Sequence, residues 1–318
     1  MIKNIELNEL WKELSTADKV VLFPHVNPDG DATGSCVALC LALREQGVDC
    51  TVCSGKTPDY IDFLNTEFFT DDKQTGNPDI CVAVDCSEDH RMDSRAAAFH
   101  KGNRKYCIDH HENDTGFGDR YYIDKDASAT CTIIYGMLKE AGVKLSKDVA
   151  NAIYTGISTD TGNFKHSNTD PKSHRIAADL LEQGVDHVQI MTALYQNRSM
   201  KKVICESRAI DKAMIFAEGK GIISYLSSAE MLEMDARKED ADEIIDKLRD
   251  IAGVEMAAYL EEREDGVKIS MRAKTDSNVA DICKSFGGGG HIKAAGATVK
   301  MSMEDAFTAV KHAMEEVL

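Results

Sequence analysis

Four short stretches put acidic and imidazole side chains where a divalent cation could use them. "HVNPDGDA" carries His25, Asp29 and Asp31 within one turn. "VAVDCS" carries Asp85, "CIDHH" carries Asp109, His110 and His111, and "STDTGNF" carries Asp160. Carboxylates packed together repel and raise one another's pKa, and a cation relieves that repulsion. Oxygen donors mixed with imidazole suit Mn2+, with Mg2+, Co2+ or Zn2+ as competitors. The donors suffice for two ions that share one bridging carboxylate. Two ions ~4 Å apart suit hydrolysis of a phosphate ester, by activating water and neutralising the charge that develops on oxygen.

Each stretch also has an ordinary reading. Asn, Pro, Asp and Gly dominate turns, and an Asp after a strand is often a helix cap. The spacing of Asn27, Asp29, Asp31 and Thr33 mimics a calcium loop. Its sixth and twelfth positions are Ala32 and Ala38, where Gly and Glu are needed, so that reading fails. Together, in order and each at the end of an element, the four stretches are far more specific than any one alone.

The elements that must position them alternate. Residues 19–23, 48–55, 79–87 and 105–111 read as strands, with helices over 33–46, 88–101, 128–141 and 149–164. That alternation predicts an α/β fold, a mostly parallel sheet with helices on both faces. Functional groups then collect past the carboxyl ends of the strands. Residues 172–200 read as helical. After them 207–216, 219–227, 255–265 and 266–274 read as strands, the last two as a hairpin with a Gly turn. Helices are expected near 228–250 and 278–286. The division is residues 1–187 as a metal-binding catalytic domain, 188–205 as a linker and 206–318 as a smaller α+β domain, facing each other across a cleft.

Composition narrows the function. The chain has 318 residues and a formal net charge of −17, which disfavours a basic surface for long nucleic acid or duplex. No apolar run is long enough to span a bilayer. Ten cysteines, several in apolar strands or on a helix face, suit reduced thiols in a cytoplasm. Cys50 and Cys53 form a lone CxxC that reads as strand alternation rather than a zinc site.

The four stretches resemble the motifs of the DHH phosphoesterase family. "FGGGGHIKAAGA" (286–297) resembles the signature of its companion DHHA1 domain. The likeness covers nearly the whole chain, and is nearer to the short stand-alone nanoRNase and pAp phosphatase group than to the larger RecJ exonuclease. It implies two divalent ions, Mn2+ before Mg2+ or Co2+. His25 and Asp29 would hold one, Asp31, His110 and Asp160 the other, and Asp85 would bridge. His111 would face the scissile phosphate, and Asp109 would orient the triplet. The implied substrates are RNA of two to five nucleotides, 3′-phosphoadenosine 5′-phosphate (pAp), or linear and cyclic dinucleotides. A homodimer is a family expectation.

The glycine run is not a Walker loop, since no GK[ST] follows. Glycines let backbone N–H groups approach an anion closely. The likeness implies that Gly288, Gly289, Gly290 and His291 hold the nucleotide end that is not cut, with Arg272 and Lys274 adding charge. A cyclic-di-AMP or pApA phosphodiesterase would carry the same motifs. A non-catalytic nucleotide sensor would not need all seven metal-site and catalytic residues. A family II inorganic pyrophosphatase would lack the glycine run.

Overall fold

Strand β1 (Lys19–Phe23) is four-fifths buried, and β4 (Ile80–Val84) is buried throughout. Near-continuous apolar strands of this kind belong inside a parallel sheet covered on both faces. The computed structural model describes residues 4–55, 57–111, 116–263, 266–275 and 277–318. It divides into two units, residues 1–197 and 198–318.

The first unit contains α1 (Leu7–Ser15), β1, α2 (Gly30–Glu45), β2 (Asp49–Cys53), β3 (Phe69–Thr70), β4, α3 (Ala96–Phe99), β5 (Arg104–Asp109) and β6 (Arg120–Ile123). Helices α4 (Thr130–Glu140), α5 (Lys147–Asp160), α6 (Pro171–Glu182) and α7 (His187–Tyr195) follow. The sheet order is β3-β2-β1-β4-β5-β6, with every pairing parallel. The chain runs outward from β1 in one direction and from β4 in the other. The crevice where order reverses is where open α/β sheets bind ligands.

Alternate side chains reach opposite faces. Val20, Leu22, Val82, Val84 and Ile108 pack with α1, α2, α4 and α5. Val21, Phe23, Ala83 and Cys107 pack with Met92, Ala98 and Phe99 from the segment before β5. Cys50 and Cys53 fall in these two different clusters, which excludes a shared ion. All ten cysteines are buried thiols. Helix α5 lies close on α2. A Cβ on Gly156 would sit 2.2 Å from Cys131 Sγ and 2.7 Å from Asp31 Oδ1, so a glycine there makes room for the acidic side chain.

The second unit contains α8 (Met200–Asp211), β7 (Met214–Phe216), β8 (Gly221–Leu226), α9 (Ser228–Glu233), α10 (Ile244–Arg249), β9 (Met256–Arg263), β10 (Gly266–Ala273), α11 (Val279–Ser285), β11 (Gly289–His291), β12 (Ala294–Val299) and α12 (Met303–Glu315). Its mixed sheet runs β11-β12-β10-β9-β8-β7, parallel only between β8 and β9. Two apolar clusters cover it: α11 and α12 contribute to one, α8 and α10 to the other.

Local structure differs from expectation at residues 207–211 and in the glycine run. Residues 207–211 are helical, not extended: Ser199 caps α8, and Cys205 and Ala209, one turn apart, are its buried stripe. The helices α7 and α8 occupy most of the segment read as linker. The glycine run is partly edge strand β11, where Gly290 has φ +141° and a Cβ would lie 2.6 Å from Ala294 O. Close strand pairing therefore explains that glycine without any ligand. The hairpin turn between β9 and β10 falls at 264–265, outside the described residues. Among the described residues no helix is long and apolar enough to cross a membrane.

Candidate metal centre

Strand register aligns the acidic turns. Phe23 pairs with Ala83, and Val84 pairs with Ile108, so β1, β4 and β5 end nearly level. The residues just past them, His25, Asp85 and the Asp109–His111 run, therefore lie side by side. Helix α5 brings Asp160 at its last residue.

His25, His110 and Asp29 are each held through one atom and leave another open. His25 Nδ1 lies 2.8 Å from Val26 O, and His110 Nδ1 lies 3.1 Å from Ala127 O. A backbone carbonyl at one ring nitrogen fixes the tautomer and leaves the other as a metal donor. Asp29 is the N-cap of α2: its Oδ1 accepts from Asp31 N and Ala32 N, both at 3.0 Å. Its Oδ2 remains. The cap explains why α2 begins at Gly30 and includes Asp31 in its first turn, earlier than the hydrophobic pattern suggests.

The donor atoms converge. His25 Nε2 is 3.7 Å from Asp85 Oδ2 and 4.0 Å from Asp29 Oδ2. His110 Nε2 is 3.7 Å from Asp85 Oδ1 and 3.8 Å from Asp160 Oδ2. These separations are too long for hydrogen bonds. They fit atoms arranged around a common centre with bonds of ~2.0–2.2 Å. Donors within 4.8 Å of one another form three overlapping sets: His25 with Asp29 and Asp85; Asp31 with His110 and Asp160; Asp85 with Asp109, His110 and His111.

Residues 19–157 match the DHH family, N-terminal domain, and residues 218–318 match the DHHA1 domain. The bifunctional oligoribonuclease and PAP phosphatase NrnA of Thermus thermophilus is 31% identical over 302 residues, 94% of this chain and 90% of that protein. This chain belongs to the DHH family. The Bacillus subtilis protein of the same name is 26% identical over 92% of each chain. An exopolyphosphatase-related protein from Bacteroides fragilis has the same fold, with a TM-score of 0.91 at 25% identity over 98% of this chain and 95% of that one. As a DHH protein the chain is a phosphoesterase, and its acidic and histidine cluster is able to hold divalent metal.

The carboxylates of the DHH cluster are crowded and buried. Burial first, then the charges of Asp85 and Asp160, pushes the Asp31 carboxyl well up. Burial, then Asp29 and Asp109, raises Asp85. Burial, then Asp85 and Asp29, raises Asp160 to about 7. Buried carboxylates packed together are costly, and a divalent ion is chemistry that fits this donor set. Asp85 also sits at φ +56°, a left-handed conformation sparse for non-glycine residues. Strain of that kind clusters at functional sites.

The DHH triplet is wired internally. Asp109 is fully buried, and its Oδ1 accepts from His110 N at 2.6 Å and His111 N at 3.1 Å, and lies 2.7 Å from His111 Nδ1. That last hydrogen bond is the main reason the His111 imidazole titrates at about 9.

Three supporting contacts were not foreseen. Both carboxylate oxygens of Asp31 accept from the start of α4, Oδ2 from Thr130 N at 2.7 Å and Oδ1 from Cys131 N at 3.0 Å. Thr130 Oγ1 donates to Asp85 Oδ1 at 2.9 Å. Asn168 Nδ2 donates to Asp160 Oδ2 at 3.1 Å and to Ser128 O at 3.0 Å. "ASAT" before α4 carried a weak helix-start signal; nothing local marked Asn168.

In the DHHA1 unit, Arg272 Nε is 3.5 Å from Asp246 Oδ1, and Lys274 Nζ donates to Ile251 O at 2.8 Å. Both cations expected at phosphate are thus engaged within their own unit. Gly288 and Gly289 lead into exposed His291 on the edge strand.

Proposed function

We propose that this protein is a Mn2+-dependent phosphohydrolase that degrades RNA of two to five nucleotides to nucleoside monophosphates and removes the 3′-phosphate of pAp. The observation that carries this reading is the pair of donor sets, His25–Asp29–Asp85 and Asp31–His110–Asp160, which meet where His110 Nε2 lies 3.7 Å from Asp85 Oδ1, with His111 beside them. The names of the Thermus and Bacillus relatives point the same way. His25, Asp29 and Asp85 would hold one ion; Asp31, His110, Asp160 and Asp85 the other. Bound divalent ions would supply Lewis-acid polarisation of the phosphate and a more acidic water.

The remaining roles belong to the chain. Asp109 keeps the proton on His111 Nδ1, leaving Nε2–H to donate to a phosphate oxygen or to the leaving oxygen. Thr130 and Asn168 hold the Asp85 and Asp160 carboxylates in place. His291 and the backbone of Gly288–Gly290 would hold the nucleotide end that is not cut. Arg272 and Lys274 would have to leave Asp246 and Ile251 O to join them.

The test loads metal-stripped protein with Mn2+, Mg2+ or Co2+ and offers pAp, pApA, mixed RNA dimers and cyclic-di-AMP. AMP release from pAp and pApA, fastest with Mn2+, is expected. Preference for cyclic-di-AMP would instead favour a cyclic-dinucleotide phosphodiesterase. No release under any metal would sink the enzyme reading.

The role of His111 has its own signature. His111→Ala should lower kcat by ~10²–10⁴-fold, the usual range for a lost general acid. In Asp109→Asn the imidazole loses the charged acceptor that favours its protonated form. The basic limb of the kcat–pH profile should therefore move from about 9 down toward the ordinary imidazole value, ~6.5. A basic limb that stays in place would refute the coupling.

A further inference from the structure

Arg91 lies in the 3-10 segment Asp89–Arg95, which follows Asp85. Its carbonyl accepts from Val26 N at 2.6 Å, so the segment is pinned to the loop that carries His25. The side chain is half-buried. Its positive charge reaches both His111 and Cys86, the neighbour of Asp85, and pulls down the pKa of each.

Among the described residues, no ion pair or hydrogen bond engages the Arg91 guanidinium. Two acids of the same stretch face histidines instead: Glu88 lies 3.4 Å from His90 Nε2, and Asp89 lies 3.2 Å from His100 Nε2. The other arginine of the segment, Arg95, is buried and donates to Cys53 O at 2.8 Å. Arg91 alone of that pair is left without an acceptor. In a chain of net charge −17, a guanidinium unpaired among the described residues, on a segment pinned to the loop that carries His25, has an evident use. A phosphate must approach those carboxylates, and the planar fork of arginine can bind two of its oxygens at once.

We propose that Arg91 is a phosphate-binding residue of the first unit, contacting the non-bridging oxygens of a nucleotide phosphate at the metal centre. This rests on the phosphohydrolase reading. It adds a cation at the reacting phosphate, distinct from Arg272 and Lys274, which were expected at the nucleotide end that is not cut.

The test measures AMP affinity by calorimetry on Mn2+-loaded wild type, Arg91→Ala and Arg91→Lys, with melting temperatures and steady-state kinetics on pAp. Loss of a charged hydrogen-bonding partner should raise the Kd for AMP ~10–100-fold in Arg91→Ala. Arg91→Lys should fall between, because it keeps the charge and loses the fork. KM for pAp should rise in parallel, with kcat within a few-fold. Melting temperatures should match wild type, since the guanidinium holds nothing among the described residues. Unchanged AMP affinity in Arg91→Ala overturns the proposal, and so does a weaker affinity accompanied by a melting temperature lowered by about 4 °C or more. If wild type cleaves neither pAp nor pApA but AMP binding still depends on Arg91, the enzymatic reading falls and the phosphate site stands.

Discussion

Asp85→Asn should give a folded protein whose kcat on pApA is lower by about 10³-fold or more. That factor corresponds to the several kcal/mol of charge stabilisation attributed to metal ions in such sites. The substitution is gentle for the fold. Asn tolerates the left-handed backbone that Asp85 adopts at φ +56°, and its carbonyl oxygen still accepts from Thr130 Oγ1. It removes the one carboxylate that, among the described residues, neighbours both His25 and His110. The metal-free variant should melt higher than metal-free wild type near pH 8, because a buried charge has been removed. Added Mn2+ should raise its melting temperature less than it raises that of wild type. A fully active Asp85→Asn enzyme would overturn the bridging role.

Metal-free wild type should become less stable as pH rises from about 4 through about 7. The Asp160 carboxyl is raised to about 7, and burial raises Asp31 and Asp85 as well. A carboxyl whose folded pKa lies above its unfolded value binds more protons in the folded state. Its contribution is fully present below the unfolded pKa, ~4, and is lost as pH climbs through the folded one. Cations need these groups deprotonated, so they compete with protons. The rise in melting temperature on adding Mn2+ should therefore be small near pH 5 and larger near pH 8. Thermal unfolding with and without Mn2+ across that range measures it. A shift that is equal at both ends would show that these carboxyls do not face the ion.

The strand ends were legible because apolar runs and the acidic turns after them are local patterns. Lys19–Phe23, Ile80–Val84 and Arg104–Asp109 follow from such runs, and parallel register then places His25, Asp85 and His110 together. What was missed is set by partners distant in sequence. The short strands Phe69–Thr70 and Arg120–Ile123 carry too few residues to show alternation. The helix over Met200–Asp211 has its apolar residues split between a buried stripe and exposed Val203 and Ile204, which blurs its period. Thr130 meets Asp85 across 45 positions, and no local spacing announces that. Arg272 and Lys274 looked available because sequence shows charge but not the Asp246 carboxylate or Ile251 carbonyl already beside it.

The bonds from Asp31 to the start of α4 mean that the proposed ligand positions are not equivalent to an engineer. Asp31 closes a helix terminus 99 residues away in sequence while also belonging to the donor cluster with His110 and Asp160. Its removal strips Thr130 N and Cys131 N of their acceptor, so an Asp31→Ala chain should show inactivity and a lowered melting temperature together. Asp29→Asn, by contrast, keeps a capping oxygen on an exposed side chain. A substrate trap, inert yet folded and still able to hold its nucleotide, is better built at Asp29 or Asp85 than at Asp31.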